Sequence, residues 1–130
     1  MSEYLDRARE LRATIEPHHN CAQSVLAPFA ERMGMTYEQV CAIAQGFGGG
    51  IQTGDVCGAF TGAIMALGVL GLATHDNVVE LTERMREGHG GTLRCADLLE
   101  ANAEAGREKK SFCDALVFEA VGLVEELIER

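Results

Sequence analysis

The stretch VCGAFTGAIMALGVLGLA, residues 56–73, contains no charged side chain and is flanked by Asp55 and Asp76. Its apolar residues recur at helical spacing and predict one long helix that begins near Asp55. The stretch reaches the lower length limit of a membrane span, about 18 residues. Glycine and alanine are only weakly hydrophobic, however, and basic flanking residues are missing. We therefore predict the buried central helix of a bundle, in which Gly58 and Gly62 let neighbouring helices approach its backbone.

Helix-capping residues on both sides of this segment predict further helices. An apolar repeat that includes Leu5 and Ile15 adds an N-terminal helix that ends before Pro17, and Pro28 is expected to kink the second helix. No run alternates with period two, so no sheet is expected. The prediction is an all-α compact bundle of about five to seven helices in a single domain, residues 1–130, with helix starts at Asn20, Thr36, Asp55, Asn77, Thr92 and Ser111.

Charge and cysteine content limit the partners and the compartment of the chain. Its 130 residues include 11 Lys plus Arg and 20 Asp plus Glu, for a formal charge of −9. This charge disfavours nucleic acids and anionic membranes, and it favours basic or neutral protein partners. The N-terminus does not resemble a secretory signal, so we expect a cytoplasmic protein whose five cysteines form no permanent disulfide framework. An apolar helical chain of this size can also form a homodimer.

Four cysteines lie close to predicted helix starts: Cys21, Cys57, Cys95 and Cys113. Each thiol is expected in a first turn, beside unpaired backbone N–H groups that lower a cysteine pKa below its usual value of about 8.5. Thiolates are both nucleophiles and soft metal ligands. The placement therefore suits thiol–disulfide exchange or a four-thiolate iron–sulfur cluster, although free cysteines are also common as inert core residues. Cys41 lies inside its predicted helix and is expected in the core.

The glycine run that follows Gly46 allows two interpretations. One is a turn that needs positive φ angles after the end of a helix. The other is a stretch of bare backbone whose N–H groups approach an anion or a cluster sulfide, with Gly48, Gly49, Gly50 and Gly58 as the candidate cofactor-contacting residues.

Three histidines are further candidates for a role in the same site, whereas one charged segment is not. His18, His19 and His89 lie near cysteines in the sequence and are candidate ligands or proton donors, although histidines in loops beside helix caps are commonly exposed. Residues 101–110, rich in Glu, Lys and Ala, are predicted to be a solvated helix end and loop whose charge needs no functional explanation. No Ser-His-Asp set, paired-carboxylate pattern or zinc-protease motif supports hydrolytic chemistry.

The cysteine pattern resembles that of a known family. The sequence NCAQ at residues 20–23, the glycine run, CGAFTG at residues 57–62, and then Cys95 and Cys113 are similar to the C_GCAxxG_C_C family of redox-active proteins. Members are small single-domain chains named for this pattern, and the resemblance extends from about Asn20 to the last helix. It implies redox activity that involves the four cysteines, and Cys41 lies outside it. A similar domain occurs in split-Soret cytochromes, but this chain has no Cys-x-x-Cys-His site for their haem.

Three hypotheses follow for the function. The first is a redox or electron-transfer protein in which the four cysteines bind an iron–sulfur cluster and receive electrons from, or pass them to, an unidentified redox partner protein. The second is a thiol–disulfide protein that uses the same cysteines without a metal. The third is a non-enzymatic helical module with structural zinc or with inert cysteines.

Overall fold

Helices account for nearly all of the regular structure in the computed structural model, which describes residues 2–130. A short 3₁₀ turn, Ala27–Phe29, contains Pro28 and joins the second helix to the third, so these two form one kinked rod. The predicted all-α bundle and the kink at Pro28 are therefore confirmed. The helices are α1 Glu3–Ala13, α2 Cys21–Leu26, α3 Ala30–Met33, α4 Tyr37–Ala44, α5 Gly58–Val69, α6 His75–Glu87, α7 Cys95–Glu104 and α8 Lys109–Glu129.

Two capping boxes fix the starts of α2 and α4. The Asn20 side chain accepts a hydrogen bond from the backbone N–H of Gln23, and the Gln23 side chain accepts one from the backbone N–H of Asn20. Thr36 and Gln39 make the same reciprocal pair at the start of α4. Because each pair satisfies two otherwise unpaired N–H groups, α2 and α4 begin where the sequence predicted.

Other predicted helix boundaries are wrong. The N-cap of α6 is Thr74 rather than Asn77, because the Thr74 side chain accepts the backbone N–H of Asn77. The last helix begins at Lys109 after Glu108, so Ser111 lies within its first turn. At α6 a threonine three residues upstream provides the capping oxygen, whereas the start of α8 has no side-chain capping bond.

The ends of two further segments also differ from the prediction. The first helix, α1, ends at Ala13, where Thr14 takes an extended conformation, and Ile15 is 86% exposed rather than packed in a helix. The helix α7 begins at Cys95 after an extended Arg94 and not at Thr92. Arg94 is held extended by an antiparallel bridge to Val56, the only strand-like pairing within residues 2–130.

The helix α5 is the buried centre of the bundle, as predicted. It packs chiefly against α2 and also against α8. A Cβ atom added at Gly62 would lie 2.9 Å from the Ala22 carbonyl oxygen, and one added at Gly58 would lie 2.7 Å from that of Phe47. Both glycines therefore permit the close approach of backbones that the sequence predicted.

None of the helices formed by residues 2–130 combines the length and the apolar character needed to cross a bilayer.

The glycine run forms a left-handed turn that closes one side of the bundle. Gly49, Ile51 and Gln52 have φ angles of 62°, 59° and 59°. Glycine adopts this conformation freely, but a β-branched residue such as Ile51 does so only under strain. The predicted turn with positive φ angles is confirmed, and it extends to residues that are not glycine.

Candidate functional site

Four thiols, each in or directly before a different helix, line a single cavity of about 570 Å³. Two of these cysteines are the first residues of their helices, α2 and α7, and a third immediately precedes α5. The fourth is the fifth residue of α8 and so lies in the second turn rather than the first. The structure thus brings together the four cysteines that the sequence singled out, which are Cys21, Cys57, Cys95 and Cys113.

A short antiparallel pairing places Cys57 next to Cys95. The backbone N–H of Cys57 donates to the Leu93 carbonyl oxygen at 2.7 Å, and the N–H of Cys95 donates to the Asp55 carbonyl oxygen at 2.6 Å. These bonds flank the bridge between Val56 and Arg94. Because α5 and α7 begin beside this pairing, Cys57 and Cys95 line the same cavity.

Close backbone packing at Gly58 brings Cys21 to the same cavity. A Cβ atom added at Gly58 would lie 3.4 Å from the Cys21 Cβ and 3.2 Å from the Ala22 backbone nitrogen. The starts of α2 and α5 therefore touch, and a larger residue at position 58 would push the Cys21 side chain away.

The thiols of Cys21 and Cys113 form a directly interacting pair. The hydrogen bond from Cys21, together with the positive charges of Arg12 and Lys109, lowers the pKa of Cys113 to about 7 against the opposing effects of burial and of Asp114. The same hydrogen bond raises the pKa of Cys21, as does its burial. When the pair loses a proton near neutral pH, the negative charge therefore falls on Cys113, and Cys21 keeps its proton.

The prediction of a lowered pKa at every helix start is wrong for three of the four cysteines. Burial raises the pKa of Cys57 even though the backbone N–H groups of Phe60 and Ala59 oppose that effect. Burial also raises the pKa of Cys95, and the charge of Cys113 adds to it. The free-energy cost of removing a thiolate from water exceeds the stabilisation that the N–H groups at a helix start provide.

The candidate glycines and histidines separate into two groups. Gly49, Gly58 and His18 line the cavity. Gly48 packs against the Asn20 side chain, and Gly50 packs against the backbone of Asp55.

The other two histidines have partners elsewhere. His89 Nε2 lies 3.1 Å from Glu119 Oε1. His19 is buried and its Nε2 meets the Tyr37 hydroxyl, away from the cavity. Cys41 is half-buried on α4, where its thiol interacts with the same Tyr37 hydroxyl and does not line the cavity.

Sequence reasoning missed the basic residues of this site. Arg12, Lys109 and Lys110 line the cavity together with the cysteines. Arg12 is 8% exposed at its side chain, and its Nε donates to Asp114 Oδ1 at 2.6 Å. Lys109 and Lys110 are the only lysines of the chain and come just before Cys113, a signal that was available in the sequence. Arg12 gave no such signal, since only the packing of α1 against α8 brings it there.

The donor set fits a multi-iron cluster by its chemistry. Four cysteine thiolates are the ligands typical of two-iron and four-iron clusters. A single zinc ion instead needs its ligands within about 2.3 Å of one point. Across the described residues, 2–130, no group of three or more His, Cys, Asp or Glu side chains is placed to hold one metal ion.

Comparison with known proteins agrees with the cysteine pattern. Residues 19–127 match the family described as "Putative redox-active protein (C_GCAxxG_C_C)". Comparisons with curated proteins and with solved structures each give no match. The matched segment covers all four cavity cysteines and most of the chain, so this protein belongs to the C_GCAxxG_C_C family of redox-active proteins.

Proposed function

We propose that this protein transfers electrons through an iron–sulfur cluster bound by Cys21, Cys57, Cys95 and Cys113. The observation that carries the proposal is the single cavity that the four thiols line, each from a different helix. A cluster contains several iron atoms with separate thiolate ligands, so its cysteines surround a volume instead of meeting at one point. When bound, such a cluster supplies a reversible one-electron couple.

Charges and N–H groups around the cavity suit a cluster with several thiolates. Arg12 and Lys109 each act to lower the pKa of Cys113, and Lys109 acts in the same direction on the pKa of Cys95. Backbone N–H groups of Ala59 and Phe60 donate hydrogen bonds to Cys57. Positive charge and N–H donors stabilise thiolates and make a bound cluster easier to reduce.

Apolar side chains complete the wall of the cavity. Leu98 and Leu116 are buried there, and Phe112 lies beside them. A wall of this kind keeps water away from the sulfur atoms, which strengthens the electrostatic interactions inside the cavity. We place the protein in the cytoplasm as part of the proposal, because thiols remain reduced there.

The visible absorption spectrum of anaerobically purified protein tests the proposal, with iron, sulfide and zinc measured on the same sample. We expect broad visible absorption together with iron and sulfide. A colourless protein that also fails to take up iron and sulfide during reconstitution would contradict the proposal. Zinc in such a sample would indicate the structural-metal hypothesis instead.

A second candidate function, thiol–disulfide exchange, is favoured by the contact between Cys21 and Cys113. One partner has a pKa of about 7 and the other is a thiol within hydrogen-bonding reach. With glutathione disulfide as the oxidant, the Cys113 thiolate would attack one sulfur and release one glutathione. Cys21 would then lose its proton and displace the second glutathione, so two protein thiols are oxidised as one disulfide is reduced.

For this second candidate, we expect glutathione disulfide to oxidise metal-free protein to a Cys21–Cys113 disulfide. The rate should rise with pH and reach half of its maximum near the Cys113 pKa of about 7, instead of near about 8.5 as for an ordinary thiol. Mass spectrometry of peptides after quenching at successive pH values measures both the pairing and the rate. A half-maximum near the ordinary value, or a different cysteine pair, would contradict the assignment.

A further inference from the structure

The cavity has a charge opposite to that of the protein as a whole. The chain carries a formal charge of −9, yet both of its lysines, Lys109 and Lys110, line this cavity together with Arg12. No Asp or Glu is among the lining residues. Because both lysines of an acidic chain line one cavity, we do not attribute their charge to the solvation of a loop alone.

Only part of this positive charge is neutralised nearby. Asp114 binds Arg12 through Oδ1 and Lys110 through Oδ2, at 2.6 and 3.0 Å. Over residues 2–130, Lys109 takes part in none of the ion pairs. Three cations set against the Asp114 carboxylate and the Cys113 thiolate therefore leave a net positive charge at the cavity.

The apolar part of the wall strengthens the effect of these charges. Leu98, Phe112 and Leu116 line the interior, and Ile15, 86% exposed, stands at the mouth. A cleft with low-dielectric walls and charges of one sign concentrates the electric field and attracts counter-ions. The volume of about 570 Å³ is typical of sites for small organic molecules.

We propose that the mouth of the four-thiol cavity binds small organic anions, carboxylates or related oxyanions with an apolar part, through Lys109, Lys110 and Arg12. The proposal shares the four-thiol cavity with the proposed function but concerns binding alone. The binding itself depends on the lining residues and needs no metal.

The experiment uses reduced, metal-free Cys41→Ser protein, in which all remaining thiols line the cavity. Two thiol reagents are compared over a range of salt concentrations: dithiobis(nitrobenzoate), which carries two carboxylates, and the uncharged dithiodipyridine. We expect the anionic reagent to react about fivefold more slowly at high salt than at low salt, while the rate with the neutral reagent stays constant. A protein governed by its overall charge of −9 would show the opposite salt dependence.

Charge variants test whether Lys109 and Lys110 cause the faster reaction of the anionic reagent at low salt. In the same background, Lys109→Gln with Lys110→Gln should slow the anionic reagent by about fivefold or more at low salt. The matched control is Arg32→Gln with Arg86→Gln, which changes the net charge equally at residues that do not line the cavity. The control should stay within about twofold of the parent. The ratio to the neutral reagent corrects for any change in thiolate content.

Protection of the thiols by an unreactive anion distinguishes binding at a defined site from general electrostatic attraction. Unreactive nitrobenzoate should protect the thiols saturably in the parent protein and not in the lysine variant. A rate that rises with salt, equal effects of the two double variants, or absent saturation would overturn the proposal. Because the protein is metal-free, these outcomes are independent of whether the spectrum reveals a cluster.

Discussion

Replacing Cys57 by serine is expected to abolish the visible absorption of cluster-loaded protein and to lower its iron content by about tenfold or more, since changes outside the ligand set already cost about 10–100-fold. Cys57 is 4% exposed and receives N–H groups from Ala59 and Phe60. A serine hydroxyl is a hard ligand that binds iron far more weakly than a thiolate does. Absorption spectra and iron assays of protein purified in parallel measure the loss.

The matched control is Cys41→Ser, which removes a half-buried thiol on α4 outside the cavity. This variant should keep its absorption and its iron. An equal loss in both variants would contradict the assignment of the ligands. The Cys57 variant also separates the two candidate functions, because a disulfide between Cys21 and Cys113 does not involve Cys57 and would still form.

The second large effect is expected on stability. Gly62→Ala should lower the free energy of unfolding by about 1–3 kcal/mol, the usual cost of overpacking a core. A Cβ atom there would lie 2.9 Å from the Ala22 carbonyl oxygen and 3.2 Å from the Val25 Cβ. Backbone atoms of α2 cannot move aside without separating it from α5. Urea unfolding monitored by circular dichroism gives the difference.

Gly68→Ala in the same helix is the control. No atom lies within 4 Å of a Cβ added there, and the residue is exposed near the end of α5. Alanine is the better helix former, so this variant should be more stable by up to about 1 kcal/mol. If Gly62→Ala unfolds at the same urea concentration as Gly68→Ala or a higher one, then α5 and α2 do not require a glycine at their contact.

The sequence predicted a helix start correctly where a residue three positions later completes the capping hydrogen bonds. Asn20 with Gln23, and Thr36 with Gln39, form complete capping boxes within four residues, so no distant contact is needed. The small residues of α5 likewise predicted its burial, because a helix without charged residues has no face that suits water.

Prediction failed where a helix begins at a neighbouring residue instead of the expected cap, and where packing buries a thiol. Ser111 and Asn77 are acceptable N-caps, but α8 and α6 each begin about a turn earlier. The predicted pKa values of Cys57 and Cys95 were wrong because burial raises them, and that of Cys21 was wrong because its hydrogen bond to Cys113 and its burial raise it. A helix start favours a thiolate, whereas burial, which the sequence does not reveal, opposes it. Among the five cysteines, only Cys113, beside a thiol donor and two cations, has a lowered pKa.

By itself, the sequence determined the helical class, the small-residue central helix and the placement of three cysteines at or next to helix starts, because these depend on neighbours a few residues apart. The tertiary structure alone decided that the cysteines share one cavity, because the pairing of Asp55 and Cys57 with Leu93 and Cys95 joins distant parts of the chain. It also decided that the only two lysines reach that cavity. Long-range packing sets burial and the distances between charges, and these govern the chemistry of the thiols.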